Sequence, residues 1–180
     1  MLMRAERCGL LIVDVQEKLL PHMHEAQTLL GNCAWLIDVA RRLEIPIAAS
    51  EQYPQGLGPT VGQLREKLRG LPIVQKVSFS CAQEPAVLET PALSRAQIVV
   101  AGIEAHVCVL QTAAELQALG KDVFVVADAV ASRAASSKDL ACNRLRDLGV
   151  QIVSREMVAF EWLQRAGTPL FREISREFLR

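Results

Sequence analysis

The chain has 180 residues, 51% of them hydrophobic and 22% charged, with 20 basic residues set against 20 acidic ones. That length fits one domain, spanning residues 1–180, with a large apolar core. Zero net charge gives no electrostatic reason to expect nucleic acid or an anionic membrane as a partner, and no apolar run approaches the roughly 20 residues that cross a bilayer.

In chain order, the first apolar run, residues 8–15 (CGLLIVDV), reads as a buried strand. A helical pattern covers 24–43, and a second strand covers 45–50 (IPIAAS). Thr60, just after Pro59, is placed to N-cap a short helix that runs to Leu68. A strand over 72–77 (PIVQKV) leads into the least regular stretch, 81–96, read as loop with a short helix near 85–89. Strand 97–102 (QIVVAG) is followed by an Ala- and Leu-rich helix over 106–119, which ends at Gly120 in the C′ position. After strand 122–128 (DVFVVAD), Ser136 or Ser137 caps a helix that runs to Leu148 and stops at Gly149. Strand 150–154 (VQIVS) and helices over 155–165 and 171–179 complete the chain.

The strand runs are nearly continuous in Val, Ile, Leu and Ala rather than alternating with polar residues, as expected for strands covered on both faces. With helices between them, they predict an α/β protein: a three-layer α/β/α sandwich around a six-stranded, mostly parallel, doubly wound sheet. Ligands bind such folds at the carboxyl ends of the strands. That singles out Asp14, Gln16 and residues 50–53, 76–80, 102–108 and 128–133.

Arg4, Glu6 and Arg7 precede a first apolar run too short for the core of a signal peptide, so a cytoplasmic location is expected. The five cysteines are odd in number and widely spaced, and no pair is CxxC. They fit reduced thiols better than disulfides or a paired-cysteine zinc site. A neutral, apolar chain tends to associate, so a homo-oligomer, dimer or larger, is expected.

Three reactive side chains fall in the strand-end set. Asp14 ends the first apolar run, where a carboxylate is rare unless paired or functional. Lys76 ends the third run and costs similarly if buried. Cys108 opens the helix after the fourth run, where the positive end of the helix and a nearby lysine are expected to depress its pKa. A carboxylate there can serve as its general base, and the amides of the strand-to-helix turn as an oxyanion hole. Each residue also has a plainer reading: a solvated strand-end aspartate, a snorkelling surface lysine and a core thiol. The residue pattern alone leaves these open.

The segment GIEAHVCVLQTA (102–113) resembles the nucleophile segment of isochorismatase-like hydrolases. With IVDVQ (12–16) and KVSFS (76–80) it reproduces that family's Asp-Lys-Cys order, while EQYPQGLGPTV (51–61) and VVADAVASR (125–133) resemble the subgroup of isochorismatase domain-containing proteins. The resemblance covers nearly the whole chain. It implies an oligomeric hydrolase in which Cys108 attacks an electrophilic carbon, Asp14 carries the proton and Lys76 holds both in place. It also implies a cis peptide at Ile103–Glu104, with the N–H groups of Glu104 and Cys108 forming the oxyanion hole.

Nicotinamidases of this superfamily carry a DxH metal motif after the second strand. Ser50-Glu51-Gln52-Tyr53 stand there instead, so neither a metal nor a cofactor is expected. Gln16, Gln52, Tyr53, Phe79, Ile103 and His106 are the expected substrate contacts. His106 lies two residues from Cys108, about 200° around a helix, which places it off the nucleophile as a pocket or subunit contact rather than a base. Asp128 either caps the turn after the fifth strand or lines the pocket. Cys81, soon after Lys76, either lies near the pocket or packs, with packing favoured; Trp35 and Trp162 read as packing, and His22 and His24 as exposed or capping residues.

The leading reading is cysteine-dependent hydrolysis of a small amide or carbamoyl C–N bond. The alternatives are vinyl ether hydrolysis with Asp14 as the acid and no need of the thiol, or an oligomeric binding protein of the same fold. Dinucleotide binding is disfavoured because no GxGxxG follows the first strand.

Overall fold

The computed structural model describes residues 1–179. Its apolar runs become six strands: β1 (Cys8–Val13), β2 (Ile47–Gln52), β3 (Ile73–Lys76), β4 (Gln97–Ile103), β5 (Asp122–Ala131) and β6 (Gln151–Val153). Every residue of β1, β2 and β4 is buried, which is why these segments read as unbroken apolar runs. The strand order is β3-β2-β1-β4-β5-β6 and each neighbouring pair is parallel, so the sheet is wholly rather than mostly parallel.

Helices cover both faces. Leu10 and Ile12 of β1 point into one core with α1 (Ala26–Arg42), α3 (Gly62–Lys67) and α7 (Arg155–Leu163). Leu11 and Val13 point into the other, with α4 (Pro85–Leu88), α5 (Leu110–Ala118) and α6 (Ala135–Asp147). A one-turn helix α2 (Pro54–Leu57) follows β2. The last helix, α8 (Pro169–Phe178), is capped by Thr168 and strapped to α1 by the Trp35–Phe178 contact and the ion pairs of Arg42 with Glu173 and Glu177.

Several local expectations are corrected. Thr60 does not cap α3: its N–H and hydroxyl both donate to the buried Glu51 carboxylate, at 2.7 and 2.8 Å, and Val61 takes the N-cap position. Neither Ser136 nor Ser137 caps α6, whose N-cap is Ala134 without a side-chain bond. The 106–119 helix is two elements, a π-helical turn over Ala105–Val109 and then α5. Asp128 proves structural: its Oδ1 accepts the Arg155 N–H at 2.9 Å, where α7 begins.

The chain winds outward from β1 to β3 and then returns to β4, so the winding direction switches between β1 and β4. Folds of this kind bind ligands at such a switch point, beyond the carboxyl ends of the strands. Gly102 makes this junction tight. Its φ is +119°, and a Cβ at that position would lie 2.1 Å from the Val13 carbonyl oxygen, so glycine alone fits.

Candidate active site

β1 ends because Asp14 adopts a left-handed conformation, with φ at 51°, which turns the chain out of the sheet. Its N–H still donates to the Ser50 carbonyl on β2, so the side chain is fixed at the carboxyl end of the sheet. One carboxylate oxygen, Oδ2, lies 2.8 Å from Lys76 Nζ; the other, Oδ1, accepts the Ser50 hydroxyl at 2.7 Å. The side chains of Asp14 and Lys76 are both 0% exposed. A buried ion pair persists only when its remaining hydrogen-bonding capacity is satisfied, and Lys76 meets that condition. It also donates to Gln52 Oε1 at 2.6 Å and to the carbonyls of Ser78 and Phe79, each at 3.1 Å.

Burial alone would lower the Lys76 pKa, but the Asp14 charge, with help from the two nearby thiols, overrides it and leaves the ammonium above its ordinary value. Cys108, 6% exposed, joins the same cluster from the π-helical turn. Its thiol is pushed well above the ordinary range, first by burial and then by the Asp14 carboxylate; Lys76 pulls the other way and does not prevail. The expected depression of this thiol is therefore reversed. Cys108 sits inside the turn rather than at the first residue of an α-helix, and desolvation with an adjacent anion outweighs the favourable fields. The Cys108 thiol is therefore neutral at ordinary pH, beside the Asp14–Lys76 ion pair.

The Ile103–Glu104 peptide is cis, as the resemblance implies. The Glu104 carbonyl accepts the N–H groups of Val107 and Val109, at 3.0 and 3.2 Å, which ties the peptide to the turn that carries Cys108. The Glu104 side chain pairs with Arg133 at 3.0 Å.

The structure thus brings Asp14, Lys76 and Cys108 together. Gln16 and Gln52 serve a different purpose from the substrate contact expected of them. The Gln16 amide is fully buried against Gln52 N and O and Gly58 O, and Gln52 accepts from Lys76 and donates to the Val77 carbonyl. Both brace the loop that seats the lysine. Tyr53 and Phe79 stand exposed beside it, Ile103 is buried, and the exposed His106 bonds the Ser132 hydroxyl at 2.9 Å, away from the thiol. Two members of the cluster were given no site role from sequence: Ser50, and Cys81, read there chiefly as packing, whose sulfur lies 3.3 Å from Ser50 Oγ. The available signal for Ser50 was its strand position, since parallel register sets it opposite Val13 and so beside Asp14.

Among the described residues no group of three or more His, Cys, Asp or Glu is placed to hold a metal ion, and no helix is long and apolar enough to cross a membrane.

Comparison with known proteins agrees with this geometry. A family model described as the isochorismatase domain matches residues 8–157. A zebrafish (Danio rerio) isochorismatase domain-containing protein 2 is 38% identical over 168 residues, covering 93% of this chain and 84% of the relative. A secreted isochorismatase effector, Isc1, of Phytophthora sojae is 33% identical over 93% of this chain and 82% of its own. Among solved structures, the MAR1 ribonuclease of Caenorhabditis elegans superposes with a TM-score of 0.92 at 33% identity, covering 100% of this chain and 93% of that one.

Proposed function

This chain belongs to the isochorismatase family, and from that premise we propose that it is a cysteine-dependent hydrolase of a small amide or carbamoyl-type C–N bond. The observation that carries the reading is the fully buried Asp14–Lys76 pair, 2.8 Å apart, with the buried Cys108 thiol in the same cluster.

In the proposed reaction, a carbonyl carbon enters beside Cys108 and Asp14 takes the thiol proton. The sulfur attacks, and the N–H groups of Glu104 and Cys108 receive the oxyanion. Collapse breaks the C–N bond as Asp14 passes its proton to the leaving nitrogen, giving a thioester and an amine. A water molecule, deprotonated by Asp14, then attacks the thioester and returns the thiol. Lys76 stays charged throughout. It holds Asp14 in place and offsets the negative charge that moves between oxygen and sulfur. Tyr53 and Phe79 form an exposed lip for the rest of the substrate.

Exposed apolar side chains such as Val77 and Leu140 support association into a homo-oligomer, and five buried, free cysteines support a reducing, cytoplasmic setting. The name of the C. elegans relative raises RNA as a substrate. Balanced charge makes that the weaker reading here, because a polyanion would meet no net attraction. Vinyl ether hydrolysis with Asp14 as the acid is the second reading. It is favoured by the neutral resting thiol, which that chemistry would leave unused.

A panel of small primary amides and carbamoyl compounds, screened by ammonia release, tests the proposal. An active compound should leave a thioester on Cys108 visible by intact-mass spectrometry after acid quench, and Cys108→Ala should abolish turnover. Turnover that survives Cys108→Ala overturns the covalent mechanism and favours acid catalysis by Asp14.

A further inference from the structure

Asp14 must be charged to accept a proton and neutral to deliver one, yet it is sealed from water. Its Lys76 partner is a fixed cation that favours only the charged form. Its other partner is a hydroxyl. Ser50 Oγ donates to Asp14 Oδ1 at 2.7 Å and accepts from the Cys81 thiol at 3.3 Å, and the Cys81 N–H donates to Thr112 Oγ1 at 2.9 Å. Thr112 stands one turn beyond Cys108 on the same helical segment. Ser50, Cys81 and Thr112 are all buried, and nothing in the triad itself requires polar groups there.

We infer that Ser50, supported by Cys81, is a positioning residue that governs the proton exchange between Cys108 and Asp14; the inference rests on the cysteine-hydrolase reading. A hydroxyl is a rotor with one donor and two acceptor sites. While Asp14 is charged, Ser50 donates to it. When Asp14 carries the thiol proton, Ser50 turns, accepts from the carboxyl O–H and donates to the Cys81 sulfur. No proton leaves the cluster in this exchange; the Ser50 hydroxyl and the Cys81 S–H rotate together. The bond to the charged form is the stronger of the two. Ser50 therefore keeps Asp14 an acid able to release its proton to a leaving nitrogen, instead of retaining it. Cys81 holds the serine oxygen in line from behind.

The test is the rate of Cys108 alkylation by iodoacetamide at pH 7.5, read by peptide mass spectrometry, in a double-mutant cycle of Ser50→Ala with Asp14→Asn. Without the hydroxyl, the carboxylate draws the thiol proton more readily, so Ser50→Ala should react at least threefold faster than wild type. In the presence of Asp14→Asn the same substitution should change the rate less than 1.5-fold, because its effect passes through the carboxylate. An equal effect in both backgrounds, or a slower rate with Asp14 present, overturns the inference. Should Ser50→Ala fail to fold, the comparison of Cys81→Ala with Cys81→Ser decides: the alanine should accelerate alkylation and the serine restore it, and identical rates in both overturn the relay. If an amide that the wild type hydrolyses is turned over equally by Cys108→Ala, the nucleophile reading itself falls. If Cys108→Ala abolishes turnover and the cycle is additive, the relay alone falls.

Discussion

Replacing Asp14 with asparagine should make Cys108 easier to ionise while sharply slowing hydrolysis, two effects that ordinarily run in opposite directions. The Asp14 carboxylate is the second cause, after burial, of the raised thiol, whereas Lys76 opposes both. Asparagine keeps the shape of the side chain and removes the charge. Lys76 then keeps three acceptors, Gln52 Oε1 and the carbonyls of Ser78 and Phe79, and its charge is free to favour a thiolate. For a generic separation of about 5 Å and an effective dielectric constant near 20, a unit charge is worth about 3 kcal/mol, or roughly two pH units of thiol ionisation. Partial neutralisation of Asp14 by Lys76 in the wild type reduces this to about one. The pH profile of iodoacetamide alkylation at Cys108 should therefore move at least about one unit toward acid in Asp14→Asn, a gain of about tenfold in rate at pH 8. Turnover of any amide substrate should fall by about 10²–10⁴, the usual contribution of a general acid–base. A profile that stays in place, or moves toward alkali, would refute the claim that Asp14 sets the ionisation of the nucleophile.

Lys76→Met strands the Asp14 carboxylate in the core with Ser50 as its remaining donor. It should cost about 3–5 kcal/mol, read as a Tm about 6–20 °C lower, with partial recovery on adding Asp14→Asn; a loss under about 1 kcal/mol would contradict the buried pair. Burial raises all five thiols, Cys33 to about 12. The unfolded chain releases these protons near pH 8.5, so above that pH the folded state holds more protons and its stability falls as pH rises, Cys33 alone accounting for about 5 kcal/mol by pH 12. Urea midpoints under reducing conditions should hold up to about pH 8.5 and then drop steeply, less so in Cys33→Ala; midpoints flat to pH 10 would count against this. Gly102→Ala should lose more than about 3 kcal/mol in equilibrium unfolding, because the new methyl meets the Val13 carbonyl and the residue holds a positive φ; a loss under 1 kcal/mol would mean that β1 and β4 can part there without cost.

The sheet was legible because strands covered on both faces leave an unmistakable trace. CGLLIV and QIVVAGI carry no inward–outward alternation, and the structure buries every one of those residues. Helix ends were less so. Thr60 has the composition and the neighbouring proline of a cap, yet a buried carboxylate 9 residues upstream claims its hydroxyl; that is a tertiary contact no local pattern encodes. The π-helical turn was hidden for the same kind of reason, since alanine- and leucine-rich sequence fits an α-helix equally well. Asp14, Lys76 and Cys108 were found as isolated oddities at strand ends, and their meeting depended on strand order, which places β2 between β1 and β3 so that a lysine can reach across it. Ser50 was invisible as a functional residue because one serine in an apolar strand has many uses. Its role appears only when the parallel register sets it against Asp14.

A raised thiol pKa looks at first like an argument against a nucleophile, and the charge balance of the cluster answers it. At rest the site holds a carboxylate, an ammonium and a neutral thiol, a net charge of zero inside a nearly water-free pocket. Creating a thiolate by losing a proton to solvent would leave one uncompensated negative charge there, which is what burial penalises. Passing the proton to Asp14 instead gives a thiolate, an ammonium and a neutral carboxyl, and the net charge is still zero. The cost is then only the difference in proton affinity between two groups that share the pocket, and the Lys76 ammonium faces an anion in either state. Depth of burial, which makes free ionisation so unfavourable, leaves this internal transfer nearly untouched. A site of this kind reacts when a substrate arrives to use the sulfur, and it stays a poor target for reagents that must wait for a free thiolate.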